Sequence, residues 1–472
     1  MRTPPIQDYP NHLADAFVLF HQGQIPWFED TFQVQWRPVP YLLHQLILLF
    51  FMPLGPDAAG RLLLLATGLS IPCCLWVCLK WIRPQSTPLA FLAFPLVWNK
   101  LYFKGNLAFL LGIGVALLSY GWLHRRKGDR GAQGIMKGAV LCTLLYFTHG
   151  VAFLLLSLAS LAACLGSPVR PRREIWKRVG LSLTPGFLLL LGFLCGKGGA
   201  SIGMSHVLAK TTLSMGQWVG KVLRVKDLLW SFHPGEWEVA RLWLMMACFL
   251  LLAGVSAWRR RFHHQLAWLV LSCLYFLSPL DLFPLVRPHE RVFWFVVFFA
   301  PIAMKMPGKG SFGNAVLVTC SLCLFGFQSL QVGTIYGRLA ERLEESRDMV
   351  KRLPEGKNLV SIWERAPSFG EIKYGAHLEA YYVVDRKGIV RSLFARPYQI
   401  VQYRGGAPIR SGRPALTASA LVPFDFCLVW KGREPVDCET LKLGFAPFLS
   451  GREVILYKAV DSAKEIDKEG SS

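Results

Sequence analysis

RLLLLATGLSIPCCLWVCLKWI, residues 61–82, decides the fold class. Its only charges are Arg61 at the start and Lys80 near the end. About 20 mainly apolar residues are what an α-helix needs to cross a bilayer, where no water satisfies exposed backbone. The same reading applies to Asn106–Leu123, Val239–Trp258, Gln265–Leu282 and Phe312–Val332. Val179–Cys195 and Val292–Met304 are shorter but clean. Tyr41–Phe51, Leu89–Trp98, Met136–Phe147 and Val151–Leu165 are short enough to be tilted, re-entrant or buried among other helices. The expected fold is an α-helical polytopic integral membrane protein with about 10–12 membrane segments. A small soluble α/β domain is expected at the C-terminal end.

Composition agrees. Mean hydropathy is +0.36, and only 17% of the 472 residues are charged. The net charge of +22 has a topological explanation, because cytoplasmic loops of membrane proteins collect Lys and Arg. HRRKGDR (124–130), RPRREIWKR (170–178) and WRRRFHH (258–264) are such loops. They are short, separated by apolar runs and lack interleaved aromatics, so they argue against a nucleic-acid partner. With these loops inside, Thr148-His149-Gly150 becomes an outer turn. Residues 196–238 and DLFPLVRPHER (281–291) fall outside, KMPGK (305–309) inside and the tail outside. Counting back through every segment puts residues 1–37 inside. One re-entrant early segment moves them outside, and the outer placement is favoured because it joins the other polar loops.

The domain reading follows from composition. Residues 1–37 form a polar outer loop with an amphipathic segment, Leu13 to His21, and 38–332 the spanning domain. Residues 333–358 form a charged helical linker with Glu344/Arg347 and Asp348/Arg352 at helical spacing. Residues 359–462 form the soluble domain, with strand-like runs NLVSIW, EAYYVVD, GIVRSLF, YQIVQY, FDFCLVW and EVILYKAV, and 463–472 a disordered end. No internal repeat is visible, which counts against common transporter architectures. Of the twelve cysteines, only Cys427 and Cys438 lie away from apolar runs. In an oxidising compartment they can bridge or remain two thiols. No metal-ligand spacing, phosphate loop or dinucleotide fingerprint is present.

The chemistry-bearing residues cluster near the start. QDYPNH (7–12) is an acid–histidine cluster, followed by IPWFEDTFQVQWRPVP (25–40). Asp8 beside Tyr9-Pro10 is either a carboxylate held for base chemistry or the cap of a helix starting near Asn11. His12 and Asp15 stand at i+4 and i+7 from it. Glu29 and Asp30 form a second acidic pair, suited to a sugar or a divalent cation. Arg37, Lys100, Lys104, Arg287, His289 and Arg291 lie near span ends. VRPHER is the densest of these sets and breaks the positive-inside trend. His149 sits in an apolar hairpin, where an ionisable group is usually functional or internally paired. His377 and Tyr381, in the tail, read as structural.

The pattern DYPNHLADAF…WFEDTFQVQWRPVPYLLHQL resembles the first outer loop of the GT-C superfamily of membrane glycosyltransferases. NKLYFKGNLAFLLGIGVALL (99–118) is similar to a segment of bacterial members, in which an aromatic–Gly–Asn stretch opens a Gly-containing span. The resemblance implies sugar transfer from a polyprenyl-phosphate carrier, in the bacterial inner membrane, to a glycan, lipid or protein acceptor at the outer face. It also implies a spanning helix ahead of the loop, which is not seen before Asp8 in this sequence, and a soluble domain on the same outer face. On this reading Asp8 is the catalytic base, and His12, Asp15, Glu29, Asp30, Arg37, His149, Arg287, His289 and Arg291 contact substrate. The cofactor is open, with a divalent cation one option. Two other readings stand beside it: a non-catalytic membrane assembly protein, and a transporter of lipid-linked glycans.

Overall fold

The computed structural model describes residues 3–125, 131–166, 172–196, 221, 263–278, 287–304, 312–362, 367–368, 372–390, 392–394, 399–404, 424–431 and 445–459. The expected span Val239–Trp258, most of loop 196–238, KMPGK, Cys438 and the 463–472 end lie outside the described residues.

The chain opens with α1 (Tyr9–Phe20), α2 (Pro26–Thr31), β1 (Phe32–Val34) and α3 (Leu42–Phe51). The helical body follows: α4 (Pro56–Ile82), a 3₁₀ stretch Pro84–Leu96, the single turn α5 (Lys100–Phe103), α6 (Leu107–Leu123), α7 (Ala132–Thr148), α8 (Gly150–Leu165), α9 (Arg172–Cys195), α10 (His263–Leu277), α11 (Pro288–Ala303) and α12 (Phe312–Val350). The C-terminal part adds β2 (Asn358–Ile362), α13 (Ala380–Arg386), β3 (Ile389–Val390), β4 (Val401–Tyr403), β5 (Phe426–Trp430), β6 (Phe445–Ser450) and β7 (Val454–Ala459).

Among the described residues, Pro56–Ile82, Arg173–Cys195 and Phe312–Val350 are long and apolar enough to cross a membrane, with several shorter apolar helices beside them. Their outward faces carry Phe50, Leu65, Leu188, Leu191 and Leu330, all exposed. Large apolar side chains that stay uncovered on packed helices fit a lipid surround.

The helices have two distinct ends. At one, Asp57 of α4, Asn106 before α6, His149 between α7 and α8, and Arg287 before α11 sit beside the N-terminal loop or the C-terminal part. At the other, Arg83 donates to the Met304 carbonyl at 2.8 Å, Tyr120 Oη meets His264 Nδ1 at 2.9 Å and the Arg125 guanidinium lies over the Trp122 ring. The 17 residues of α6 separate the two ends by about 25 Å. Arg83, Arg125 and His264 are therefore at the opposite end from the acidic loop.

The parity conflict in the sequence has a structural answer. α3 is 10 residues long, about 15 Å, half of what crossing needs. Its His44 meets His12 of α1 at 3.2 Å, and α4 begins at that same end, where Asp57 pairs with Arg347. Tyr41–Phe51 is thus a returning segment rather than a span. α4 is long and apolar enough to cross, and the chain returns through Pro84–Leu96, a 3₁₀ path instead of an α-helix. Pro84, Pro88 and Pro95 there remove the donors an α-helix would use.

Three features of the C-terminal half differ from expectation. α12 runs unbroken through residue 333, where composition changes but backbone does not; its 39 residues reach about 58 Å, well beyond a bilayer core. Its charges do not pair as their helical spacing suggests. Arg347 turns inward to Asp385 (2.6 and 2.7 Å) and to Asp57 (3.0 Å), and Lys351 takes Glu344 and Asp348 instead. EAYYVVD is α13, not a strand. Tyr381, Tyr382, Val383 and Val384 are all buried, and packing on several sides overrides their β propensity.

The remaining runs build a mixed sheet, ordered β3-β2-β5-β7-β6, with β2 parallel to β3 and β5. Cys427 is a buried free thiol in its central strand. β4 does not join this sheet; it pairs antiparallel with β1 of the N-terminal loop. The loop and the C-terminal part therefore interlock. α13 packs on α1, and Leu13–Leu19 are all buried.

Candidate active site

The seat of the site is the turn between α5 and α6. Asn99 Oδ1 caps α5 by accepting from Tyr102 N at 3.1 Å. The chain then reverses through Gly105 at φ +80°, a conformation that favours glycine. Asp8 rests directly on that glycine. Gln7 N donates to the Phe103 carbonyl at 2.9 Å, which ties the N-terminal loop to the turn.

Asp8 holds the N-cap position of α1, yet its carboxylate makes no capping bond. The helix starts at Tyr9, earlier than the sequence suggests, so His12 comes one turn on, against the same glycine. Burial pushes the Asp8 carboxyl above its ordinary value, with His377, Lys104 and Arg291 pulling the other way. A partly buried carboxylate made more basic in this way suits proton abstraction.

His12 Nε2 lies 3.1 Å from the Gly105 carbonyl. Burial first, and His377 second, lower its pKa to about 4 against the opposing Gly105 hydrogen bond, so the ring is neutral at pH 7. Neutrality assigns the tautomer: Nε2–H donates to Gly105, and Nδ1 accepts from His44 Nε2. Asp15, a further turn along, is buried, and neither oxygen has a hydrogen-bond partner among the described residues. With His12, Tyr41, His44, Gln45 and Gln399 it lines a cavity of about 50 Å³.

On the other side of Gly105 lies a cationic group. Glu290, in the first turn of α11, is buried and pairs with Lys104 (2.9 Å), Lys100 (3.2 Å) and Arg287 (3.2 Å). Burial alone would raise its carboxyl, but the three cations hold it below the usual value. Arg291 Nη2 donates to Asn106 Oδ1 at 3.2 Å. Lys100, Lys104 and Arg287 thus gather on Glu290, and Arg291 on Asn106, on the side of the turn that faces α11. Arg287 itself sits in the left-handed region, at φ 55°.

The other expected residues are placed differently. His149 caps α8 by accepting from Ala152 N at 3.4 Å and packs edge-on against Tyr41 and Phe109. His289 is buried in α11. Glu29 and Asp30 are exposed on α2, and among the described residues no hydrogen bond or ion pair joins them to Asp8. Arg37 is half-buried on the stretch between β1 and α3. Among the described residues no group of three or more His, Cys, Asp or Glu side chains could hold a metal ion.

The sequence reading missed two partners. Glu290 stands inside VRPHER but is the group that gathers the cations. His377 comes from the C-terminal part to within 3.7 Å of Asp8. Only the left-handed His377 turn, absent from any sequence pattern, betrays it.

No family model and no curated protein matches the chain. Among solved structures it is similar to ArnT from Cupriavidus metallidurans bound to undecaprenyl phosphate, with TM-score 0.52 and 12% identity over 98% of this chain and 95% of that one. The chain shares the fold of that structure. The apo state of the same ArnT aligns with TM-score 0.43 and 13% identity. The shared fold takes in both the helical body and the small C-terminal sheet.

Proposed function

We propose that this protein is a membrane glycosyltransferase that moves a sugar from a polyprenyl-phosphate carrier to an acceptor at the outer face of the membrane. The observation that carries the reading is Asp8, held on Gly105 beside the cations Lys104 and Arg291. The ArnT structure that shares this fold is bound to undecaprenyl phosphate, the kind of carrier such a transfer would release. The positive-inside trend supports an outward Asp8 end, since Arg125 and Arg173 belong to the opposite one. For a bacterial chain, that end faces the periplasm.

The proposed step is a displacement with inversion. The acceptor oxygen bonds to the anomeric carbon as the bond from that carbon to the phosphate oxygen breaks. Asp8 takes the acceptor proton. Lys104, Arg287 and Arg291 stabilise the charge left on the phosphate. His12 fixes the Gly105 carbonyl and so the seat of Asp8. Asp15 and its cavity flank the acceptor side, while His149 and His289 frame the site from behind.

The test is donor recognition. Undecaprenyl phosphate added to the purified protein in detergent should raise its thermal midpoint, and Lys104→Met should abolish most of that gain. An equal response to a neutral polyprenol would remove the phosphate from the interaction.

A further inference from the structure

We propose that His377, from the C-terminal part, is the proton relay of Asp8: it receives the proton that Asp8 takes from the acceptor and holds it between Asp8 and Glu379. The inference rests on the glycosyltransferase reading and extends it to a second element of the fold.

The geometry is an acid–imidazole–acid series. His377 Nε2 stands 3.7 Å from Asp8 Oδ1, and His377 Nδ1 stands 3.8 Å from Glu379 Oε1. Both are in ion-pair range and slightly beyond a hydrogen bond, a gap that a small ring rotation closes. Glu379 is fully buried and is oriented by Ser392, whose hydroxyl donates to Oε1 at 2.7 Å. Burial alone would raise its carboxyl, but the imidazole and the Ser392 hydroxyl keep it below the usual range. A buried, ionised carboxylate behind an imidazole stabilises the protonated ring, the role such a carboxylate plays behind a catalytic histidine.

The ring is held on purpose-built backbone. His377 lies at φ 64°, which is costly for a residue with a Cβ and points to a positional demand. Lys373 N donates to Gln7 Oε1 at 3.2 Å, so the turn that carries His377 is bonded to the residue next to Asp8. Phe394 packs edge-on against both His12 and His377, with ring centroids 5.5 Å apart in each case.

Among the described residues, charged and titratable groups that face His377 include Asp8 at the start of α1, His12 from α1 and Glu379 from its own turn. Lys104 and Arg291 act on it through Asp8. Protons balance across the step: the acceptor O–H proton passes to Asp8, from Asp8 to His377 Nε2, and from the imidazolium to water. Asp8 is left ionised for the next turnover.

The left-handed backbone supplies a clean variant. Glycine is unstrained at φ 64°, so His377→Gly removes the ring without a backbone cost and leaves a slot for a small base. In proteoliposomes, His377→Gly should lower kcat about 10- to 100-fold with KM little changed. Added imidazole should restore most of that loss. Wild-type turnover by His377→Gly, or a loss that imidazole does not repair, overturns the relay. A second readout needs no turnover. Histidine C2–H exchange followed by mass spectrometry gives the titration midpoint of His377, which should fall by about 0.5 pH or more in both Asp8→Asn and Glu379→Gln. An unchanged midpoint in both variants overturns the relay even if no sugar donor is accepted, and it leaves the glycosyltransferase reading to its own test.

Discussion

A Cβ built on Gly105 would lie 2.8 Å from the Asp8 Cβ and 2.8 Å from the Asp8 backbone nitrogen, on a residue whose φ is +80°. The two positions therefore constrain each other. Gly105→Ala must either strain its own backbone, at about 1–2 kcal/mol, or push Asp8 off its seat. Thermal stability should fall by about that amount. Sugar transfer should drop by up to about 10²-fold, as expected for a misplaced catalytic group. Full activity and stability in this variant would contradict the contact.

Asp15 gives a pH signature. Burial raises its carboxyl well above 3.8. The folded state then binds that proton more tightly than the unfolded chain does. Folding is favoured below the ordinary value, and the benefit is lost as pH rises through the raised one. Asp15→Asn removes the dependence, so its thermal midpoint should exceed the wild type at pH 7.5, with the gap closing towards pH 4. Parallel pH curves for the two proteins would contradict this.

Glu290 holds Lys100, Lys104 and Arg287 together, with a side-chain exposure of only 5%. Glu290→Gln removes the buried carboxylate that these three cations share. The expected cost is about 3 kcal/mol, measured by denaturant unfolding in detergent. Arg287→Ala, at the more exposed edge, should cost under about 1 kcal/mol. Similar losses in the two variants would deny Glu290 its central place.

Much of this fold is legible in the sequence, because bilayer chemistry makes local demands. A run such as Arg61–Ile82 has one physical solution, and α4 follows it closely. The spacing of Asp8, His12 and Asp15 announces a shared helical face, and α1 places all three on it. What escapes is set by distant contacts. The return of α3 depends on His44 meeting His12 and on Asp57 meeting Arg347. The helical state of EAYYVVD depends on α1 and the sheet burying Tyr381 and Tyr382. Glu290 reads as one acid in a basic motif until Lys100 and Lys104 are brought to it. His377 carries no local sign at all.

Arg347 joins three elements: it pairs with Asp57 of α4 and Asp385 of α13, and its guanidinium lies 4.1 Å from the Tyr381 ring centre. Arg347→Leu should destabilise the protein by about 3 kcal/mol or more and expose residues 358–459 to limited proteolysis. Arg347→Lys should recover only part of this, because an ammonium cannot make the paired contact to Asp385. Equal protease resistance in wild type and Arg347→Leu would contradict the clamp.

The central claim is that Asp8 is the base of a sugar transfer from a polyprenyl-phosphate donor. The direct measurement is transfer by purified protein in proteoliposomes across a panel of polyprenyl-phosphate sugars, wild type against Asp8→Asn. Asn keeps the shape and capping ability of Asp but loses its basicity. The account predicts turnover by the wild type and a loss of about 10²–10⁴-fold in Asp8→Asn, with undecaprenyl phosphate binding retained. Turnover by Asp8→Asn at the wild-type rate would contradict it.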